Sequence, residues 1–150
     1  MTVTTTAPSS PERWGQRNLR LLTLFGPLLI ATGVAGLLLP PPPPTLASMM
    51  MSNARPYDVF HIAFGLLGVA LVVARRARAA ALFNLGFGAF DLYQAAAGLL
   101  GIFPAGVFQL RPADHIAHVV LGGLLASFGL RFFIAVARPP APSAARVISP

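Results

Sequence analysis

Cysteine is absent from this chain, and so is lysine. Without cysteine there is no disulfide framework, no thiolate-ligated metal and no thiol nucleophile. Charge is scarce: 10% of the 150 residues are charged, against about 25% in soluble domains. Acidic residues are the rarest, four against eleven basic ones, so the net charge is +7 and every cation is an arginine. Motifs are missing too. No G-x-x-x-x-G-K-[ST], H-E-x-x-H or G-x-S-x-G occurs, so nothing supports a nucleotide site or a hydrolytic one, and the chain reads as a non-enzyme. An isoelectric point near 11.8 would suit nucleic acid. The arginines, however, flank apolar runs instead of forming one patch, which points to membrane orientation.

What is abundant is apolar. Hydrophobic residues make up 55% of the chain and the mean hydropathy is +0.71, which excludes an ordinary soluble enzyme, a disordered protein and a coiled coil. Four apolar runs stand out, at residues 21–39, 58–74, 79–103 and 114–136. The first is about 28 Å long as a helix, enough for a hydrocarbon core of about 30 Å. It is long for a signal-peptide core and no A-x-A-like cleavage site follows, so it reads as an uncleaved span. Pro27 lies inside it and is expected to kink it. Residues 1–20 read as a disordered tail and basic flank, residues 21–136 as a four-helix transmembrane domain, and residues 137–150 as a disordered tail. Trp14, among Arg13, Arg17 and Arg20, suits a membrane edge. The five prolines at 40–44 read as a stiff extended spacer. Met49, Met50 and Met51 read as interfacial packing and not as a soft-metal site.

The arginines set the orientation. Three precede the first run (Arg13, Arg17, Arg20), three lie in the turn between the second and third (Arg75, Arg76, Arg78), and three flank the C-terminal end (Arg131, Arg138, Arg146). The two remaining loops hold only Arg55 and Arg111. With four spans, this alternation puts both termini in the cytoplasm. Arginine and alanine richness without lysine also suits a GC-rich bacterial genome.

The chain repeats itself. Arg55-Pro56-Tyr57-Asp58, followed by His61 and Gly65, opens the second run; Arg111-Pro112-Ala113-Asp114, followed by His118 and Gly122, opens the fourth. The preceding runs end alike, in Ala35-Gly36-Leu37-Leu38 and Ala97-Gly98-Leu99-Leu100. This pattern predicts a tandem two-helix repeat whose halves share one orientation. Within it, proline starts each helix, Asp58 and Asp114 cap the helix N-termini, and Arg55 and Arg111 pair with them at headgroup level. With these motifs the chain resembles a bacterial four-helix integral membrane family, domain of unknown function 4383. The resemblance rests on the paired H-x-x-x-G openings and the aspartate before the last histidine, and spans residues 21–136. It implies a four-helix membrane fold and a bacterial membrane location, and no chemistry. Residues 40–44 lie outside the pattern.

His61 and His118 lie about 5 and 6 Å along their helices from Asp58 and Asp114, at matching depth. Gly65 and Gly122 follow on the same faces, so both imidazoles are expected to point into the bundle. Three readings stand: hydrogen bonds across the bundle, a bis-His haem b, or a divalent metal shared by His61, His118, His115 and an aspartate. Asp91 falls near mid-membrane, where a carboxylate costs at least about 2.5 kcal/mol. It shares a face with Asn84 and Gly98, with Gln94 one turn on. Its readings are an interhelical hydrogen bond or a proton or ion relay. Helical rise places it about 10 Å deeper than the histidines. Gly26 with Gly33, and Gly122 with Gly129, mark close helix contacts, within the chain or between copies.

The sequence therefore predicts an all-α polytopic protein of the bacterial inner membrane with a structural or interaction role. The bilayer and a second copy of the chain are its expected partners, and no nucleic acid or small-molecule substrate is identified. No cofactor is expected unless His61 and His118 hold haem b, which would make it a membrane redox protein. A proton or ion pathway through Asp91 is the other alternative.

Overall fold

The computed structural model describes residues 9–39 and 51–138. The tail before Ser9, the proline run at 40–44, Met49, Met50, Arg146 and the rest of the C-terminal tail lie outside the described residues. Five helices account for most of what is described: α1 Ser10–Leu38, α2 Arg55–Val73, α3 Ala77–Leu100, the short α4 Ala105–Phe108, and α5 Pro112–Ala137. No strand occurs among the described residues.

The basic flank expected before the first apolar run is helical, because α1 begins at Ser10, just inside the stretch that reads as a disordered tail. Ser9 and Glu12 form a reciprocal capping box: the Ser9 hydroxyl accepts from Glu12 N–H at 3.4 Å, and the Glu12 carboxylate accepts from Ser9 N–H at 2.7 Å. Pro11 sits in the first turn, where no N–H is needed. The helix then runs through Pro27 and ends at Leu38. Gly101 takes a left-handed conformation (φ 66°) and closes α3, the usual use of a glycine after a helix. The loop after α3 is not plain connection, because α4 folds within it and buries Phe108.

Packing follows the repeat. α1 lies along α2, and α3 lies along α5, so each hairpin is one close helix pair. Glycines make this approach physically allowed. A Cβ on Gly65 would sit 2.7 Å from the Gly26 carbonyl oxygen, and one on Gly122 would sit 2.8 Å from the Gly88 carbonyl oxygen. Gly129 meets the Ala81 carbonyl in the same way, at 2.6 Å from an added Cβ. Gly26, Gly33, Gly122 and Gly129 are thus used within the chain. The two hairpins meet through α1 against α3 and α5, with the Phe25 and Phe87 rings edge to face at 6.1 Å. α2 and α5 do not touch: no Cα of one comes within 8 Å of a Cα of the other.

Arginines of the three clusters that lie among the described residues gather at one end. Trp14 of α1 packs edge-on to Phe128 of α5 at 5.8 Å, with the Arg17 and Arg131 guanidinium carbons 4.6 and 5.3 Å from its ring centre. A Cβ on the neighbouring Gly15 would touch Ala77, at the start of α3, at 3.1 Å. The bundle exposes large apolar side chains and buries polar ones beside an apolar core, unlike a water-soluble bundle. Asn18, Asp58, His61, Asn84, Asp91, Gln94, Asp114 and His118 are buried, whereas Leu24, Leu66, Val73 and Leu99 are exposed. Three helices, α1, α2 and α5, are long and apolar enough to cross a membrane. α3 is not among them, because Asn84, Asp91 and Gln94 interrupt its apolar stretch.

Candidate functional site

Where α2 and α5 stay apart, the bundle encloses a cavity of about 780 Å³ at the end opposite the arginine clusters. Its floor is the Phe25–Phe87 pair, with Leu121 beside it. Below that floor Leu22 and Leu125 are completely buried. Among its lining residues Leu28, Thr32 and Ala117 of α1 and α5 are exposed, and so are Leu39, Met51, Asn53 and Arg55 at the loop end. Asp58, Asp91 and Asp114 all line it. They are every aspartate in the chain; the remaining acid, Glu12, caps α1.

His61 and His118 face the cavity from α2 and α5 and are 9% and 5% exposed. Tyr57 stands between them. Its ring lies 4.2 Å from that of His61, and its hydroxyl is 2.8 Å from His118 Nε2. The Nδ1 atoms of both histidines are buried without a hydrogen-bond partner. Haem ligation by this pair would need His118 Nε2 free and a porphyrin-wide slot between the rings, and Tyr57 occupies both places. Among the described residues, no group of three or more His, Asp or Glu is arranged to hold a metal ion.

The two motif aspartates do different things. Asp114 sits in the first turn of α5, and its carboxylate accepts from Arg111 N–H at 2.9 Å and from Ser52 N–H at 2.8 Å. Ser52 in turn donates to the Phe108 carbonyl, which ties the loop before α2 to α4. Asp58 departs from the capping role expected of it. No side chain caps α2, and Asp58 Oδ2 is buried with no hydrogen-bond partner. Its carboxylate lies against Gly36 of α1, in space a Cβ there would take. The equivalent glycine, Gly98, makes the same room for the His115 imidazole of α5. When the histidines and glycines of the two hairpins are superposed, Asp58 therefore matches His115, and Tyr57 matches Asp114. The sequence motif R-P-x-D is one residue out of register with the packing. Arg55 stands at the cavity wall.

Asp91 is 4% exposed, and Gln94 Nε2 donates to its Oδ1 at 3.4 Å. A Cβ on Gly122 would sit 2.7 Å from Asp91 Cβ. Asp91 is thus level with Gly122, one helical turn from His118, or about 6 Å. That is closer than the rise along single helices suggests, because the helices are staggered. Asn84, on the same face, belongs to a different cluster beneath the floor. Its Nδ2 donates to Asn18 Oδ1 at 2.8 Å, and Asn18 Nδ2 donates to the carbonyls of Trp14 (2.9 Å) and Phe128 (3.0 Å).

Sequence reasoning missed Tyr57, Asn18, Ser52 and the carboxylate pocket at Gly36. Tyr57 occupied the variable position of a motif, and Asn18 lay before the first apolar run. Gly36 was visible only as part of a repeat. In chemical terms the site is a mostly apolar chamber with three carboxylates, two imidazoles, one phenol and one guanidinium converging on one end, the make-up of a small-molecule pocket. No family model, curated protein or solved structure matches this chain.

Proposed function

We propose that this chain is a small integral protein of the bacterial inner membrane that crosses it four times, keeps both termini in the cytoplasm, and binds a small amphiphilic molecule between its two hairpins without catalysing a reaction on it. The observation that carries the binding role is the cavity of about 780 Å³ on which all three aspartates converge. Polar groups are kept at membrane depth only where they serve a ligand, a pathway or one another, and Asp58 Oδ2, His61 Nδ1 and His118 Nδ1 have no hydrogen-bond partner among the described residues. The relay reading of Asp91 has less support, since Phe25, Phe87, Leu22 and Leu125 close the bundle beneath it.

A fourth span through α3 accounts for the burial of its Asn84, Asp91 and Gln94 while Leu82 and Leu99 are 60% and 81% exposed. The gathering of Arg17, Arg131 and the α2–α3 turn at one end supports the orientation.

The absence of cysteine makes both halves of the reading testable. In spheroplasts, Asn53→Cys should react with a membrane-impermeant maleimide added outside and Ala74→Cys should not; the opposite pattern overturns the orientation. Native mass spectrometry of protein in nanodiscs formed from its own membrane should show a bound small molecule that Ala117→Trp, which puts an indole at the cavity's rim, excludes. The same bound masses in both proteins would overturn the binding role.

A further inference from the structure

We infer that the cavity takes an amphiphilic organic cation, with its positive headgroup against Asp58 and its apolar part in the slot between α1 and α5; this rests on the cavity being a binding site. Charge on the cavity wall is one-sided: Asp58, Asp91 and Asp114 against Arg55. The three carboxylates are not equivalent. Asp114 already accepts two backbone N–H groups, and Asp91 accepts from Gln94. Asp58 is 5% exposed, lines the cavity, and has an oxygen with no partner. A carboxylate held out of water calls for a countercharge, and among the described residues Asp58 Oδ2 accepts no hydrogen bond.

The cation this site fits is organic and not a metal ion. Among the described residues no group of three or more His, Asp or Glu is arranged to hold a metal ion, and most of the wall is apolar, with Phe25, Leu28, Leu29, Phe87 and Leu121 in it. Phe25, Phe87 and Tyr57 present ring surface to the same space, and aromatic faces attract ammonium-type cations. Leu28 and Ala117, exposed where α1 and α5 line the cavity, give an amphiphile's tail an apolar way in from the hydrocarbon side.

Tetraphenylphosphonium and tetraphenylborate make the test, because they share a shape and differ in the sign of charge. Binding of each is measured to the full chain in nanodiscs of zwitterionic lipid, as the excess over empty nanodiscs. Tetraphenylphosphonium should bind saturably and tetraphenylborate should not, and Asp58→Asn should weaken the cation at least tenfold. If Asp58→Asn does not accumulate, Asp91→Asn on the same wall should weaken it in the same direction. Equal binding of both ions, with both lost in Ala117→Trp, would leave the cavity a binding site and overturn its preference for a cation. Tetraphenylphosphonium binding unchanged by the aspartate substitutions, or absent from the wild-type chain, would also overturn the inference. The cavity's role as a binding site is judged separately, by the native masses.

Discussion

The Tyr57 hydroxyl lies 2.8 Å from His118 Nε2, although the helices that carry these residues never bring their Cα atoms within 8 Å. Two side chains span a gap that backbone packing leaves open. The gap is held apart by the α1–α2 and α3–α5 glycine contacts, which draw α2 and α5 to opposite sides of the bundle.

Tyr57→Phe removes this bridge and leaves His118 Nε2 unpartnered. A buried hydrogen bond contributes about 1 kcal/mol net, so reversible unfolding in mixed micelles should show a loss of about that size. Electron–electron distance measurements between labels on α2 and α5 should also broaden. An unchanged distance distribution and unchanged stability would mean that the bridge does not hold the gap.

The glycine contacts give a sharper contrast. At Gly65 and Gly122 an added methyl meets backbone atoms, which cannot step aside, whereas at Gly86 and Gly123 it meets nothing within 4 Å. Gly65→Ala and Gly122→Ala should each cost about 1–3 kcal/mol. Gly86→Ala and Gly123→Ala should stay within about 0.5 kcal/mol of the parent. Unfolding measured on all four variants checks this, and equal costs would refute the packing register.

Gly36→Ala and Gly98→Ala separate cavity from core. Each added methyl collides with a side chain, Asp58 in the first case and His115 in the second, so both variants should be less stable. Only Asp58 lines the cavity. The alkylation rate of a cysteine placed at Ala117 should therefore change several-fold in Gly36→Ala and remain constant in Gly98→Ala.

Asn18 and Asn84 should be coupled. Their amide groups bond each other and two further carbonyls beneath the cavity floor. Asn18→Leu and Asn84→Leu, alone and together, should give an interaction energy of about 0.5–2 kcal/mol in a double-mutant cycle. Strict additivity would show that the two amides act independently.

Much of this architecture is legible in the chain. Long apolar runs bounded by arginine produce membrane-length helices because no other segment satisfies its backbone in hydrocarbon. The inward faces of His61, His118, Asp91 and Asn84 follow from helical periodicity and small neighbours. The start of α1 at Ser10 was encoded in the Ser9–Glu12 pair, but it lay upstream of the apolar signal and reads as tail without it.

Composition and periodicity by themselves determined an all-helical chain with an apolar exterior, paired hairpins and buried polar residues, since these depend on local backbone satisfaction and on which face each residue occupies. The tertiary structure alone decided that Asp58 lies against Gly36 while Asp114 caps its own helix, that Tyr57 stands between the histidines, and that every aspartate shares one chamber. Those relations depend on the stagger between helices. A shift of one residue rotates a side chain by about 100° around its helix, and the stagger is set by glycine contacts between segments far apart in the chain.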